Sequence, residues 1–360
     1  MKKLLVLALA VMLTLSLTVV ASAAALDAYV GGRLTWSYVD SDARENDPSG
    51  LGNSGIKMLL KGTVKDEETG TWGSIGAKLD GWGYETINKE YDAIKDEMTG
   101  GNTKGLNTTG IYEFGINGVA GSNFNVWYTN FENEKGNQGL SKMYGIDVLQ
   151  THTDCMFDKD LTDHVLGVDY VTDTVKVNFG YQMNAGKDED NVMSIAATFK
   201  FDGGDIHVGQ WSDKNGDSEV NVGGSYALGF GAIKADYVGQ SYDAAGKDDT
   251  SVIQVAVSVD AINFEAMVGM DDGVQFKDGG LIYELKYKPV DKVTLCYRAA
   301  QADEEADEAK NSNGDNTGNY TNFYVGYNFG VIEARAGMFS KGVDANEDDG
   351  VYASCYVSFW

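Results

Sequence analysis

Residues 174–182 read TVKVNFGYQ, and the stretch separates into two rows. Val175, Val177, Phe179 and Tyr181 fall on one side of an extended chain, and Lys176, Asn178 and Gln182 on the other. A period of two with one apolar and one polar row predicts a β-strand that is wet on a single face. In DAYVGGRLTWSY (27–38), Ala28, Val30, Leu34, Trp36 and Tyr38 oppose Asp27, Tyr29, Arg33, Thr35 and Ser37. In SGIKMLLKGTV (54–64), Ile56, Met58, Leu60 and Val64 oppose Lys57, Lys61 and Thr63.

The pattern recurs through residue 360. The alternating segments are 27–39, 54–65, 71–83, 109–118, 122–132, 163–172, 174–184, 191–202, 204–212, 218–229, 230–241, 249–260, 261–271, 278–289, 290–300, 318–329, 330–340 and 350–360. These are eighteen predicted strands, each near the 9–11 residues that a tilted strand needs to cross a bilayer. Tight connections (172–173, 203–204, 228–230, 260–261, 289–290 and 330) lie on one side, and long polar ones such as 40–53, 84–108, 133–162 and 301–317 on the other. That asymmetry is the pattern of a transmembrane β-barrel. An all-β sandwich would share the alternation, but it has no need of uniform strand length or one-sided loops. Forty-five glycines and two prolines, Pro48 and Pro289, suit a fully hydrogen-bonded sheet.

The first 23 residues carry Lys2 and Lys3, an apolar run from Leu4 to Val20, and the small residues Ala21-Ser22-Ala23. This predicts a secretory signal peptide, leaving 24–360 as one barrel domain. No later apolar run reaches the roughly 18 residues of a membrane helix. A formal charge of −26 argues against nucleic acid as a partner. Cys155, Cys296 and Cys355 form neither a disulfide framework nor a metal spacing, although one bridge, such as Cys155–Cys296, stays open. His152, His164 and His207 sit in no recognisable catalytic context, so an enzyme is not expected. No cofactor is expected either.

The outer loops are acidic (DSDARENDP, KDEDN, ADEEADEAKNSNGDN, DANEDDG). They suit hydration, or loosely held Ca2+ or Mg2+ bridging to lipopolysaccharide. Asp213, Asn215 and Asp217 resemble the start of a calcium loop, but Ser218 stands where its glycine should be. Trp36, Trp72, Trp82, Tyr128, Tyr181, Tyr237, Tyr283, Tyr287, Tyr297, Tyr327 and Trp360 suit aromatic girdles at the membrane interfaces.

VYASCYVSFW (351–360) resembles the terminal signature of bacterial outer-membrane barrels, with Tyr352, Tyr356 and Trp360 at alternate positions, whereas Ser354 and Ser358 fit it poorly. GGRLTWSY resembles the first strand of the general Gram-negative porins, and SGIKMLLKGTVKDEETGTWGSIGAKLD their second strand, turn and third strand. GINGV and NFNVWYTN are similar to strands four and five, and 133–162 stands where the family has a third loop folded into the barrel. That family most often has sixteen strands, one hairpin fewer than the eighteen counted here.

The resemblance implies a homotrimeric outer-membrane pore for passive diffusion, with wall bases facing loop acids at a constriction. Arg33, Lys57 and Lys61 match the family's basic positions, while Glu113 stands where an arginine is frequent and Asp169 lies near another missing base. Arg298 and Arg335 are wall bases by alternation, and Asp147, Asp154 and Asp158 are the acids of the third loop. The nearly balanced wall together with an acidic loop predicts weak cation preference. A channel selective for a sugar, an organic acid or a metal ion is the alternative, with Trp127 and Tyr29 as lumenal stacking rings. A structural or adhesive surface barrel is a third reading.

Overall fold

A computed structural model describes residues 24–41, 50–51, 54–83, 107–130, 164–183, 191–213, 216–243, 248–272, 279–302, 319–342 and 348–359. They form β1 (Ala24–Ser41), β2 (Gly50–Leu51), β3 (Ser54–Lys65), β4 (Thr71–Gly83), β5 (Asn107–Ile116), β6 (Phe124–Thr129), β7 (Val165–Val171), β8 (Val175–Gln182), β9 (Val192–Phe201) and β10 (Gly204–Asp213). The second half supplies β11 (Ser218–Ala227), β12 (Gly231–Ser241), β13 (Thr250–Val259), β14 (Phe264–Asp272), β15 (Gly280–Val290), β16 (Val293–Ala302), β17 (Asn319–Asn328), β18 (Ile332–Gly342) and β19 (Asp348–Phe359). Apart from the two-residue β2, each strand answers one predicted segment, so eighteen rather than sixteen long strands are present among the described residues.

Every long strand pairs antiparallel with its neighbours, and the ladder returns on itself. β1 pairs with β3 along Ala24–Arg33 and with β19 along Gly32–Ser41. Stepping from partner to partner around the ring returns to β1 roughly 24 residues from the start, a stagger that tilts the strands by about 45°. A ring of this size leaves an interior too wide for side chains to fill.

The two faces are inverted relative to a water-soluble protein. Ile195, Val208, Val222, Ile253, Val268, Phe323 and Val325 are exposed on the outer wall, while Glu219, Asn221, Gln254, Glu284 and Asn322 are buried on the inner one. An exterior of apolar side chains over fully paired backbone is what a hydrocarbon phase demands. Outward aromatics cluster near strand ends: Phe201 stacks with Tyr226, and Tyr327 lies against Phe329. Tyr237, Tyr287 and Tyr327 are exposed as a girdle requires.

Some details differ from the sequence reading. Trp72 packs inward against Trp127 and its apolar neighbours rather than joining a girdle. Tyr352 is buried while Val351 is exposed, so in the last strand the tyrosine faces the lumen and the valine faces out. The turn expected at Pro289-Val290 falls at Asp291-Lys292, because β15 continues through the proline. The ladder shifts register between Tyr287 and Val290, which places the residue that lacks an N–H in a bulge. Among the short turns, the one after β3 is fixed by Asp66, whose carboxylate accepts from the Thr69 hydroxyl (2.8 Å) and the Glu68 amide (2.9 Å). These bonds hold its carboxyl below the ordinary range.

The inverted faces give a direct test. Val268, in mid-strand and exposed on the outer wall, should tolerate arginine poorly. Val268→Arg is expected to cost about 2–4 kcal/mol in denaturant unfolding from phospholipid vesicles.

Candidate functional site

Lys61, Glu113, Asp169, Arg298 and Arg335 lie on the inner wall, and register decides which of them meet. Lys61 on β3 reaches across β4 to Glu113 on β5, with Nζ 3.1 Å from Oε2. Thr129 on β6 donates to the other oxygen of Glu113 at 3.3 Å. The acid at this wall position is therefore tied to a lysine two strands away.

Asp169 on β7 is clasped by two side chains. The Trp127 indole N–H donates to Oδ2 at 3.0 Å, and the Asn178 amide donates to Oδ1. Gly167 makes this possible, since a Cβ there would lie 2.0 Å from Cζ2 of Trp127. Trp127 faces the lumen, as the alternative reading of a sugar channel has it, but the residue is only 3% exposed and presents no stacking platform to a sugar.

On the far part of the ring, Glu284 on β15 holds two cations, Lys286 Nζ and Arg298 Nε, each at 2.5 Å. The Cys296 thiol donates to the same carboxylate at 3.7 Å, and this buried cysteine is unbridged, as is Cys355. Arg335 Nε lies 2.5 Å from Glu333 Oε1. The guanidinium groups of Arg298 and Arg335 sit 5.8 Å and 4.9 Å from the centroid of Tyr324, a cation–π arrangement around one buried ring.

The remaining expected residues divide. Arg33 pairs in register with Gly55 and Ser358, and Lys57 with Gly31 and Asp80, while their side chains lie outside the described set. Asp147, Asp154 and Asp158, with the rest of the third loop, lie outside the described residues, as do Asn215, Trp360 and the side chain of Tyr29. Asp213 and Asp217 direct carboxylate oxygens at backbone amides, those of Asp217 (3.1 Å) and Asp243 (3.0 Å). Among the described residues, no three His, Cys, Asp or Glu side chains converge as a metal would require.

Two groupings escaped the sequence reading. His207 on β10 and Asp236 on β12 meet at 3.2 Å (Nε2 to Oδ1) across β11, and Asn221 donates to the same oxygen at 2.6 Å. Gly223 opens the gap, because a Cβ there would lie 2.3 Å from Asp236 Oδ1 and 2.6 Å from His207 Nε2. Nearer the long-loop end, Glu219 accepts from the Trp211 indole (2.9 Å) and from the Gln240 amide (2.6 Å). Alternation indicates that His207, Gly223 and Asp236 share a face, but only register shows that they are neighbours. An inward strip of Trp127, Val165, Val192, Trp211, Val238 and Val252 runs along the same wall.

No family model and no curated relative matches the chain. Solved structures do. A mutant of the Rhodopseudomonas blastica porin aligns at a TM-score of 0.50 and 14% identity, over 93% of this chain and 100% of that one. A triple mutant of the same porin aligns at 0.49 and 15% identity, again over 93% and 100%. The fold is porin-like. At these identities the likeness concerns the fold alone, and the character of this porin-like wall has to be read from its own residues.

Two substitutions probe that wall. Gly167→Val should push the Trp127 ring off Asp169 and cost on the order of 1–3 kcal/mol by overpacking, read from unfolding together with a red-shifted tryptophan emission. Glu284→Gln removes the charge shared by Lys286 and Arg298. The reversal potential in a salt gradient should move toward anions relative to the parent chain.

Proposed function

We propose that this barrel is an outer-membrane pore through which ions and small hydrophilic solutes diffuse passively. The observation that carries the reading is the inversion of its faces: charged and amide side chains line the interior, and aliphatic side chains cover the exterior. A wide ring with a polar lining offers water a continuous path.

Weak cation preference follows from how the wall charges are partnered. Lys61, Lys286, Arg298 and Arg335 lie against three carboxylates, Glu113, Glu333 and the Glu284 that Lys286 and Arg298 share. Asp236 instead accepts from Asn221 with His207 alongside, and Asp169 from Trp127 and Asn178 with the Lys176 ammonium within electrostatic reach. A carboxylate held by neutral donors keeps its charge in the lumen, whereas a cation paired one-to-one with a carboxylate, as Lys61 and Arg335 are, is largely cancelled at a distance. The chain's formal charge of −26 adds to the same sign.

A homotrimer set among outer-membrane lipids and lipopolysaccharide completes the proposal, with divalent cations at the acidic outer loops. No bond-making step is assigned to any residue.

Single-channel current across a planar bilayer under a KCl gradient tests the reading. Ohmic steps whose reversal potential favours K+ are expected. Steps that favour Cl− would keep the pore and overturn the charge assignment. Folded protein that gives no steps would overturn the pore itself.

A further inference from the structure

We infer that His207 sets the charge preference of the pore according to pH, an inference that rests on the channel reading above. The imidazole is held between two carboxylates on the lumenal wall. Nε2 lies 3.2 Å from Asp236 Oδ1, and Nδ1 lies 3.8 Å from Asp205 Oδ2. The ring is 3% exposed, so its place between them is fixed by packing.

The chemistry of imidazole gives this placement its consequence. A neutral ring carries one N–H and can serve only one of the two carboxylates. Imidazolium carries an N–H on each nitrogen and serves both. Taking one proton from solvent therefore improves the contacts of the cluster and cancels one of its two negative charges.

The groups that face the cluster from the neighbouring strands can be named. Asp236 Oδ2 is buried with no hydrogen-bond partner among the described residues. On the neighbouring β13, Gln254 stands opposite Asp236 and offers an uncharged amide. From β11 the cluster is faced by Asn221, Gly223 and Ser225, of which Asn221 donates to Asp236 and Ser225 to Asp205. The charged groups nearby are Lys200 on β9, opposite Asp205 in register, Lys234 on β12, two residues from Asp236, and Lys176 on β8, in register with His207 through Thr198 of β9. Lysines and carboxylates ordinarily keep their charge between about pH 5 and 8, the interval in which imidazole ordinarily changes its own.

A fixed lumenal charge acts on passing ions over about 10 Å at 0.1 M salt. Loss of one negative charge from this patch lowers the local concentration of cations. On acidification the preference for cations should therefore weaken, while the pore stays open.

The test is the reversal potential of the full-length protein in a KCl gradient at pH 7.5 and at pH 5.5, for the parent chain and for His207→Gln. The parent chain should lose part of its cation preference at the lower pH, and His207→Gln should lose most of that pH-dependent shift. Asp205→Asn provides a second variant with one flanking carboxylate removed, and a smaller shift is expected from it. His164, the other described histidine, bonds the Tyr128 hydroxyl at the edge of β7 and is unchanged in both variants. A conducting parent chain with the same preference at both pH values would overturn this inference alone, as would an undiminished shift in His207→Gln. A barrel that never conducts would overturn the channel reading and this inference with it.

Discussion

The constraint on which the rest depends is that no backbone N–H or C=O can be left unpaired against hydrocarbon, where each would cost several kcal/mol. A sheet with two free edges cannot meet it, and a ring can. The pairing of Gly32–Ser41 with Gly350–Phe359 removes the last edges, since β1 is already paired to β3 along its other stretch. Once the ring is closed, side chains have two destinations. Alternate residues meet lipid and must be apolar, and those between them meet the interior and are free to be polar. The buried Glu219, Asn221, Gln254 and Glu284 and the exposed Ile195, Val222 and Val268 are consequences of that closure.

Closure also fixes the chemistry of the wall. Inward side chains on adjacent strands are spaced closely enough for long ones to meet, and those two strands apart meet only where the strand between carries a small side chain. Gly223 is such a window, through which His207 and Asp236 approach each other, and Gly167 gives up its own place to the Trp127 ring. Charges on such a wall neutralise one another locally. Glu284 serves both Lys286 and Arg298, and Glu113 serves Lys61. The net field of the inner wall is set by what local pairing leaves over, and a list of the charges that face inward does not give it.

This explains how far the sequence could be read. Strand number, strand length, the sidedness of short and long connections and the inward direction of Lys61, Glu113, Asp169, Arg298 and Arg335 all follow from alternation, a local property of the chain. Trp72 was misplaced, and the facing of Tyr352 stayed open, because an amphipathic aromatic is compatible with either face, so its identity does not reveal which way it points. The bulge at Pro289 moved a turn by two residues, because a proline at the end of a strand can be absorbed as well as excluded.

By itself, the sequence determined a closed, lipid-facing, all-β architecture and the sign of its overall charge, since period-two patterning and composition are written residue by residue. Only the tertiary structure decided which charges touch. Contacts such as Trp127–Asp169, separated by 42 positions, and His207–Asp236, separated by 29, depend on the stagger between strands. Stagger is a property of the whole ring: shifting one ladder by two residues leaves every side chain on its own face and gives each of them new neighbours.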